Sequence, residues 1–262
     1  MSVPFRREAL AAIADAAAAL ARTAAARPFD AVQKADLSPV TAVDLAVNAF
    51  LNLELLKLLP GSAWLSEESE DDRRRLDAEF VWIVDPIDGT KQLVAGIPEV
   101  AISIGLVASG SVVAAAVANP MTGESGGWTD GSPPVFAGLA PRPVPKTLEA
   151  ASAIVSRSEA AEGALVGLEG VVGSIRPVGS VAYKLLRVAA GADALTFSVR
   201  PKAEWDVCAG IGLILASGGR YLRLDGKPVV FNQDDPRIPS GAVAGPEGLA
   251  SPLLHRLNAL HP

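Results

Sequence analysis

Between residues 43 and 59 the apolar side chains fall at Leu45, Phe50, Leu51, Leu55 and Leu58, a near-helical spacing that predicts a helix closed by Pro60-Gly61. An earlier helix is predicted over about 5–26, where an alanine-rich run is interrupted by Glu8, Asp15 and Arg22 and stopped by Arg27-Pro28. The interruptions make it an amphipathic helix and not a signal-peptide core. Short apolar runs at 63–65 and 81–84 predict strands. Residues 100–118 carry no charge. Gly105 and Ser109-Gly110-Ser111 break that run, and its valines favour two buried strands with a tight turn over a membrane span.

A Pro- and Gly-rich region at 119–145 follows and marks the expected boundary between two parts, 1–145 and 146–262. Beyond it the pattern predicts strands at 151–156 and 194–199, and helices at 181–190 and 207–216, the latter closed by Gly218-Gly219. A final hairpin is predicted from 221–224 and 229–231 around Asp225-Gly226. There is no internal repeat. The mixture predicts an α/β or α+β protein of two subdomains with a cleft between them.

Composition narrows the chemistry. Half of the 262 residues are hydrophobic and a fifth are charged, as in a globular chain, and the net charge of −6 gives no whole-surface attraction for nucleic acid or anionic membrane. Cys208 is the single cysteine, so no intrachain disulfide forms and a reducing, cytoplasmic setting is expected. The only histidines, His255 and His261, lie at the C-terminal end. Ser-His-Asp catalysis and a His/Cys zinc site therefore have almost nothing to draw on. Carboxylates, hydroxyls, lysines and oxygen-bound metals remain.

Carboxylates recur at the ends of apolar pieces. The strand in "VWIVDPIDGTKQL" runs into Asp85 and Asp88, followed by Gly89, Thr90 and Lys91; "WLSEES" places Glu67 and Glu68; "AEWDVCAG" places Asp206 at a helix start; "KADLSPVTAVD" adds Lys34, Asp36, Thr41 and Asp44. Each has a plain structural reading. Asp-Pro and Asp-Gly are turn dipeptides, Asp206 suits a helix N-terminus, and Thr41 suits a cap. If Glu67, Asp85, Asp88 and Asp206 converge, each pair ~4 Å apart repels by ~4 kcal/mol at an effective dielectric of ~20. A hard cation, Mg²⁺ with Mn²⁺ or Ca²⁺ as substitutes, would answer that repulsion. A helix starting at Gly89-Thr90-Lys91 would then present N–H groups and a lysine to an anion.

Four motifs in order, "KADLSPVTAVD", "WLSEES", "WIVDPIDGTKQL" and "EWDVCAG", with the linking "GSVAYKLLRVAAGADAL", resemble the Mg²⁺-dependent, lithium-sensitive phosphatases: inositol monophosphatases, fructose-1,6-bisphosphatases and 3'(2'),5'-bisphosphate nucleotidases. The resemblance implies a layered αβαβα sandwich, usually a homodimer. Most metal ligands would sit in the first part, and the last aspartate and substrate-side residues in the second. It implies two or three Mg²⁺ ions on Glu67, Asp85, the Ile87 carbonyl, Asp88 and Asp206, with Ca²⁺ and Li⁺ inhibitory. Asp44, Thr90 and Glu67 would be catalytic, Thr90 taking a proton from the attacking water and Asp44 orienting it. Gly89 and Thr90 N–H groups would hold the phosphate of a small substrate, with Lys91, Arg157, Ser180 and Lys184 around it.

On substrate, "KADLSPVT", "VSRS" and Lys184 in "GSVAYK" are more like the bisphosphate nucleotidases, with Lys184 and Arg157, and Lys202 as a third candidate, expected to meet a second phosphate. Val199 stands where the inositol enzymes carry a carboxylate. Against this, "NPMTGE" is more like the inositol branch, Leu93 replaces an aromatic of both, and the 131–145 segment matches neither. Trp205 and Tyr183 are candidates to stack on a base or to be core aromatics. Hydrolysis of adenosine 3',5'-bisphosphate is the expected activity, with inositol 1-phosphate or another sugar phosphate as the alternative. The reading of another class is a non-catalytic metal-binding or interaction protein; the Thr90/Asp44 pair argues against it.

Overall fold

The computed structural model describes residues 3–33, 39–168 and 170–260. The first part runs α1 (Arg7–Ala25), β1 (Ala31–Gln33), β2 (Pro39–Thr41), α2 (Ala42–Leu58), β3 (Ala63–Ser66), β4 (Phe80–Asp88), α3 (Thr90–Val94), β5 (Ala101–Ala108), β6 (Ser111–Ala118), β7 (Ser125–Thr129) and β8 (Val135–Ala137). The second runs β9 (Ser152–Ser156), α4 (Arg157–Ala161), β10 (Ser174–Val178), α5 (Val181–Ala189), β11 (Leu195–Ser198), β12 (Lys202–Ala203), α6 (Glu204–Ala216), β13 (Arg220–Arg223), β14 (Arg237–Ile238), β15 (Ala242–Gly245) and α7 (Glu247–Leu260).

Two sheets dominate. One has the order β3-β4-β5-β6-β7-β8, the other β10-β9-β11-β15-β13. Alternation along β4 shows how they are layered. Trp82 and Val84 enter a core with Leu10 of α1 and Val47, Leu51 and Leu55 of α2. Val81 and Ile83 enter a second core with Leu185 and Leu186 of α5 and Val207, Leu213 and Ile214 of α6. That second core continues into Ile154, Val178 and Ala244 of the other sheet. The outer face of the second sheet packs on Leu249, Leu253 and Leu257 of α7. The result is five layers, αβαβα. Among the described residues no helix is long and apolar enough to cross a membrane.

The uncharged stretch is β5 and β6, antiparallel, turning through Ser109 and Gly110, both at positive φ (49° and 75°). The predicted terminal hairpin does not form. The Asp225-Gly226 turn is there, with Gly226 N–H donating to Arg223 O at 3.0 Å, but β13 pairs with β15 and residues 229–231 form no ladder. Phe231 N–H instead donates to Gly110 O at 3.0 Å and its ring joins the core between the sheets. The 119–145 region contains β7 and β8 of the first sheet, and 138–147 carry neither strand nor helix. α6 begins three residues before the predicted 207.

β4 is central, parallel to β3 and antiparallel to β5. Its ladder slips at its end: Asp85 pairs with Ser103, but Asp88 pairs with Ala101. The bulge holds Pro86, which has no N–H to give, and redirects Asp85 and Asp88 out of the regular alternation.

Candidate active site

Three carboxylates are each fixed through one oxygen to a backbone N–H. Asp85 Oδ1 accepts from Ile87 N at 3.0 Å, inside the bulge. Asp206 Oδ2 accepts from Ala203 N at 2.8 Å, across the first turn of α6. Asp88 Oδ2 accepts from Ala182 N at 2.6 Å and from Ser180 Oγ at 2.7 Å, at the start of α5. Those bonds leave each aspartate a second oxygen, Asp85 Oδ2, Asp88 Oδ1 and Asp206 Oδ1. Glu67 follows β3, and its N–H donates to Val84 O at 3.3 Å, which ties "LSEES" to β4.

The second cluster is hydroxyl and carboxylate. Gly89, at φ 99°, caps α3 in the left-handed region where a side chain is strained. Thr90 then starts the helix, and its Oγ1 donates to Asp44 Oδ1 at 2.8 Å, with Ile87 O also within 3.1 Å. Asp44 is itself locked by a capping box: its Oδ2 accepts from Thr41 N at 2.9 Å and Thr41 Oγ1 at 2.5 Å. The expected capping role of Thr41 and the pairing of Asp44 with Thr90 coexist, because Asp44 uses a different oxygen for each.

The carboxylates feel one another. Burial, then the charges of Glu67, Asp88, Asp206 and Asp44, pushes the Asp85 carboxyl well above the usual range. Burial and Asp88 push Asp206 up to about 7, with Ala203 N–H pulling the other way. Asp88 is also raised by burial, against the pull of Ala182 N–H, the Lys184 ammonium and Ser180 Oγ. No three His, Cys, Asp or Glu side chains among the described residues are already drawn to ligand spacing around one point. The donor set nevertheless fits a hard divalent cation: all oxygen, each aspartate with a spare oxygen, and charges that raise one another's pKa until a cation offsets them.

Several expected substrate residues have other partners. The Ser180 hydroxyl is spent on Asp88 and on capping Tyr183 N at 3.0 Å. Lys184 is 3% exposed, and its Nζ donates to Ser180 O at 2.7 Å and Val178 O at 3.3 Å. Burial lowers its pKa to about 8, with Asp88 resisting. Arg157 forms a two-point ion pair with Glu99. Lys202 is bound to Glu159 at 3.0 Å. Lys91 is exposed on α3. Tyr183 gives its hydroxyl to Glu124 and packs in the core between the sheets, while Trp205, partly buried, holds Ser103 Oγ at its carbonyl at 3.1 Å. Lys34, Asp36 and the rest of 34–38 lie outside the described residues, as does His261.

Sequence reasoning missed the groups that hold these side chains in place. Asn48 Nδ2 donates to Glu68 O at 3.3 Å and Ser69 Oγ at 3.0 Å, and its Oδ1 accepts from Ser66 Oγ at 2.7 Å, so α2 supports the "LSEES" turn. Its signal was an amide one turn after Asp44, on the same side of the helix. Ser103 and Glu99 are the others.

The sequence profile of the inositol monophosphatase family matches residues 4–257. The 3'-phosphoadenosine 5'-phosphate phosphatase of Mycobacterium tuberculosis (strain CDC 1551 / Oshkosh) is 36% identical over 206 residues, 76% of this chain and 74% of its own. The inositol-1-monophosphatase of Rhizobium meliloti (strain 1021) is 33% identical over 210 residues, 74% of this chain and 77% of its own. The structure of the extragenic suppressor protein suhB from Bartonella henselae superposes with a TM-score of 0.80 over 97% of both chains, at 26% identity.

Proposed function

The chain belongs to the inositol monophosphatase family of phosphoric monoester hydrolases, and from that premise we propose that it is a Mg²⁺-dependent 3'(2'),5'-bisphosphate nucleotidase acting on adenosine 3',5'-bisphosphate. The observation that carries the phosphatase reading is the set of three aspartates anchored through one oxygen each, beside the Thr90–Asp44 pair. Glu67, Asp85, Asp88, Asp206 and the Ile87 carbonyl would hold the metal. Bound divalent cations supply Lewis-acid charge to the phosphoryl group and to the attacking water.

The chain's own groups do the rest. Thr90 Oγ1 already directs its hydrogen to Asp44, so its lone pairs can face a water placed in line with the phosphorus; as that water gives its proton to Oγ1, the threonine's own proton passes to Asp44 Oδ1. Asp44, held by Thr41, keeps that hydroxyl from turning away. The N–H groups of Gly89 and Thr90, at the start of α3, would meet the phosphoryl oxygens.

The nucleotide assignment rests on the name borne by the 36% identical relatives. One observation favours inositol 1-phosphate instead: Lys184 and Arg157, the cations a second phosphate would need, are already partnered. Turnover on adenosine 3',5'-bisphosphate, inositol 1-phosphate and fructose 1,6-bisphosphate decides. The proposal expects the highest kcat/KM on the nucleotide; robust turnover of inositol 1-phosphate with none of the nucleotide would reject it. A homodimer in the cytoplasm belongs to the same proposal, supported by the family resemblance and by a single, buried cysteine.

A further inference from the structure

Glu99 lies on the loop between α3 and β5, outside every motif that supplies a carboxylate to the site. Its side chain nevertheless joins three segments. Oε2 accepts from Gly179 N at 2.7 Å and from Arg157 Nε at 2.9 Å, and Oε1 accepts from Arg157 Nη2 at 2.7 Å. Arg157 Nη2 also reaches Pro177 O at 3.3 Å. Burial opposes the Glu99 charge, but Arg157 and the Gly179 N–H together hold its carboxyl below the usual range.

What Glu99 holds is the N–H of Gly179, the residue before Ser180. Ser180 is one of three described residues other than glycine at positive φ, with φ 56° and ψ 126°. Such a conformation persists only when its surroundings fix it. From it the Oγ reaches Asp88 Oδ2, and the chain enters α5 so that Ala182 N reaches the same oxygen. Gly179 has no room for a side chain: a Cβ there would lie 2.5 Å from Gln92 Cγ and 3.0 Å from Glu99 O. Backbone, carboxylate and neighbouring side chain of the α3–β5 segment thus all bear on one peptide.

We propose that Glu99 is a positioning residue of the metal site: by holding the Gly179 N–H it sets Ser180, and through Ser180 the Asp88 carboxylate. Glu99 itself touches neither metal nor substrate. The assignment rests on Asp88 being a metal ligand, as read above. Groups one step removed from a metal cost about 10- to 100-fold in metal affinity or activity when lost.

The test uses the full chain, stripped of metal, with the rise of melting temperature against Mg²⁺ concentration as the readout and no substrate present. Glu99→Ala should need about 10- to 100-fold more Mg²⁺ for the same rise, and the same shift should appear in the Mg²⁺ activation of phosphate release. Glu99→Gln keeps an acceptor for Gly179 N–H and should recover most of the wild-type response. Adding Ser180→Ala to Glu99→Ala should cost no more than the worse single change, because both act through one route. A folded Glu99→Ala with wild-type Mg²⁺ dependence, equal losses in Glu99→Ala and Glu99→Gln, or additive losses in the double variant would each overturn the proposal. Should Glu99→Ala not fold, the comparison of Glu99→Gln with Ser180→Ala decides: Glu99→Gln close to wild type and Ser180→Ala shifted is expected, and the reverse order contradicts it. A wild-type protein that neither responds to Mg²⁺ nor releases phosphate would instead remove the metal reading itself, and this role with it.

Discussion

Asp206 carries charge into a place that resists it, and two outcomes follow. Asp206→Asn keeps the volume and removes one charge, so phosphate release should fall on the order of 10²-fold or more, while the metal-free protein should melt higher. The check is kcat beside melting temperature in chelator; near-normal turnover would point to a different acidic cluster. The second outcome is a pH dependence. The folded pKa of Asp206, about 7, lies above its ordinary value of about 3.9, so its stabilising contribution is full below that ordinary value and is lost as pH rises through about 7. In chelator the melting temperature should therefore rise from pH 8 to pH 6, and Mg²⁺, which favours the ionised carboxylates, should raise it more at pH 8 than at pH 6. Lys184, lowered to about 8, begins to contribute at the upper edge of this window and in the opposite sense, which is the smaller effect, and His255 sits on the outer helix α7. A flat or inverted profile in chelator would contradict the crowding of charge. Asp85 and Asp88 were legible because they end an apolar run at a turn, and Asp206 because it stands at the entry to an apolar helix. The commitments of Ser180 and Lys184 were not: Asp88, the partner of Ser180, is supplied by the tertiary fold, and the Ser180 and Val178 carbonyls that hold Lys184 are presented by the turn into α5.

At the scale of elements, the site depends on α6 lying close against β5. A Cβ on Gly105 would fall 2.3 Å from Cys208 Sγ and 3.1 Å from its Cβ. Gly105→Ala should therefore displace α6 and cost about 1–3 kcal/mol by overpacking, lowering the denaturant midpoint. Activity should fall with it, since α6 carries Asp206 on its first turn. Cys208→Ala in that background removes the nearer clash and should restore part of the midpoint; no change with Gly105→Ala would show that the two elements separate freely. Helices α1, α2 and α5 and strands β5, β6, β9 and β11 were readable from periodicity. β10 was not: Arg176 and Pro177 interrupt an edge strand whose exposure does not alternate. The failed hairpin has a similar cause. A turn dipeptide specifies the turn, but the partner of β13 is chosen by the sheet, and the buried Ala242–Gly245 segment fits beside it better than 229–231, which Pro228 precedes.

For the molecule as a whole, the two sheets clasp α5 and α6, and the proposed metal ligands would come from both sides of that layer: Glu67, Asp85 and Asp88 from the first part of the chain, Asp206 from the second. Lys184 gauges what lies across it. If its buried ammonium only braces the Ser180 turn, Lys184→Ala should depress turnover of every phosphomonoester alike; if a substrate phosphate recruits it, KM for adenosine 3',5'-bisphosphate should rise about 10-fold or more while KM for inositol 1-phosphate barely moves. The αβαβα layering followed from family resemblance more than from element order, since the strand order of the second sheet has no counterpart in local pattern. The most direct test of the account is phosphate release from a simple phosphomonoester by metal-stripped protein, before and after Mg²⁺ is added, for wild type and Asp206→Asn side by side. The account predicts no release without metal, restoration by Mg²⁺ in the wild type, and little in the variant; undiminished release from the metal-stripped protein would contradict it.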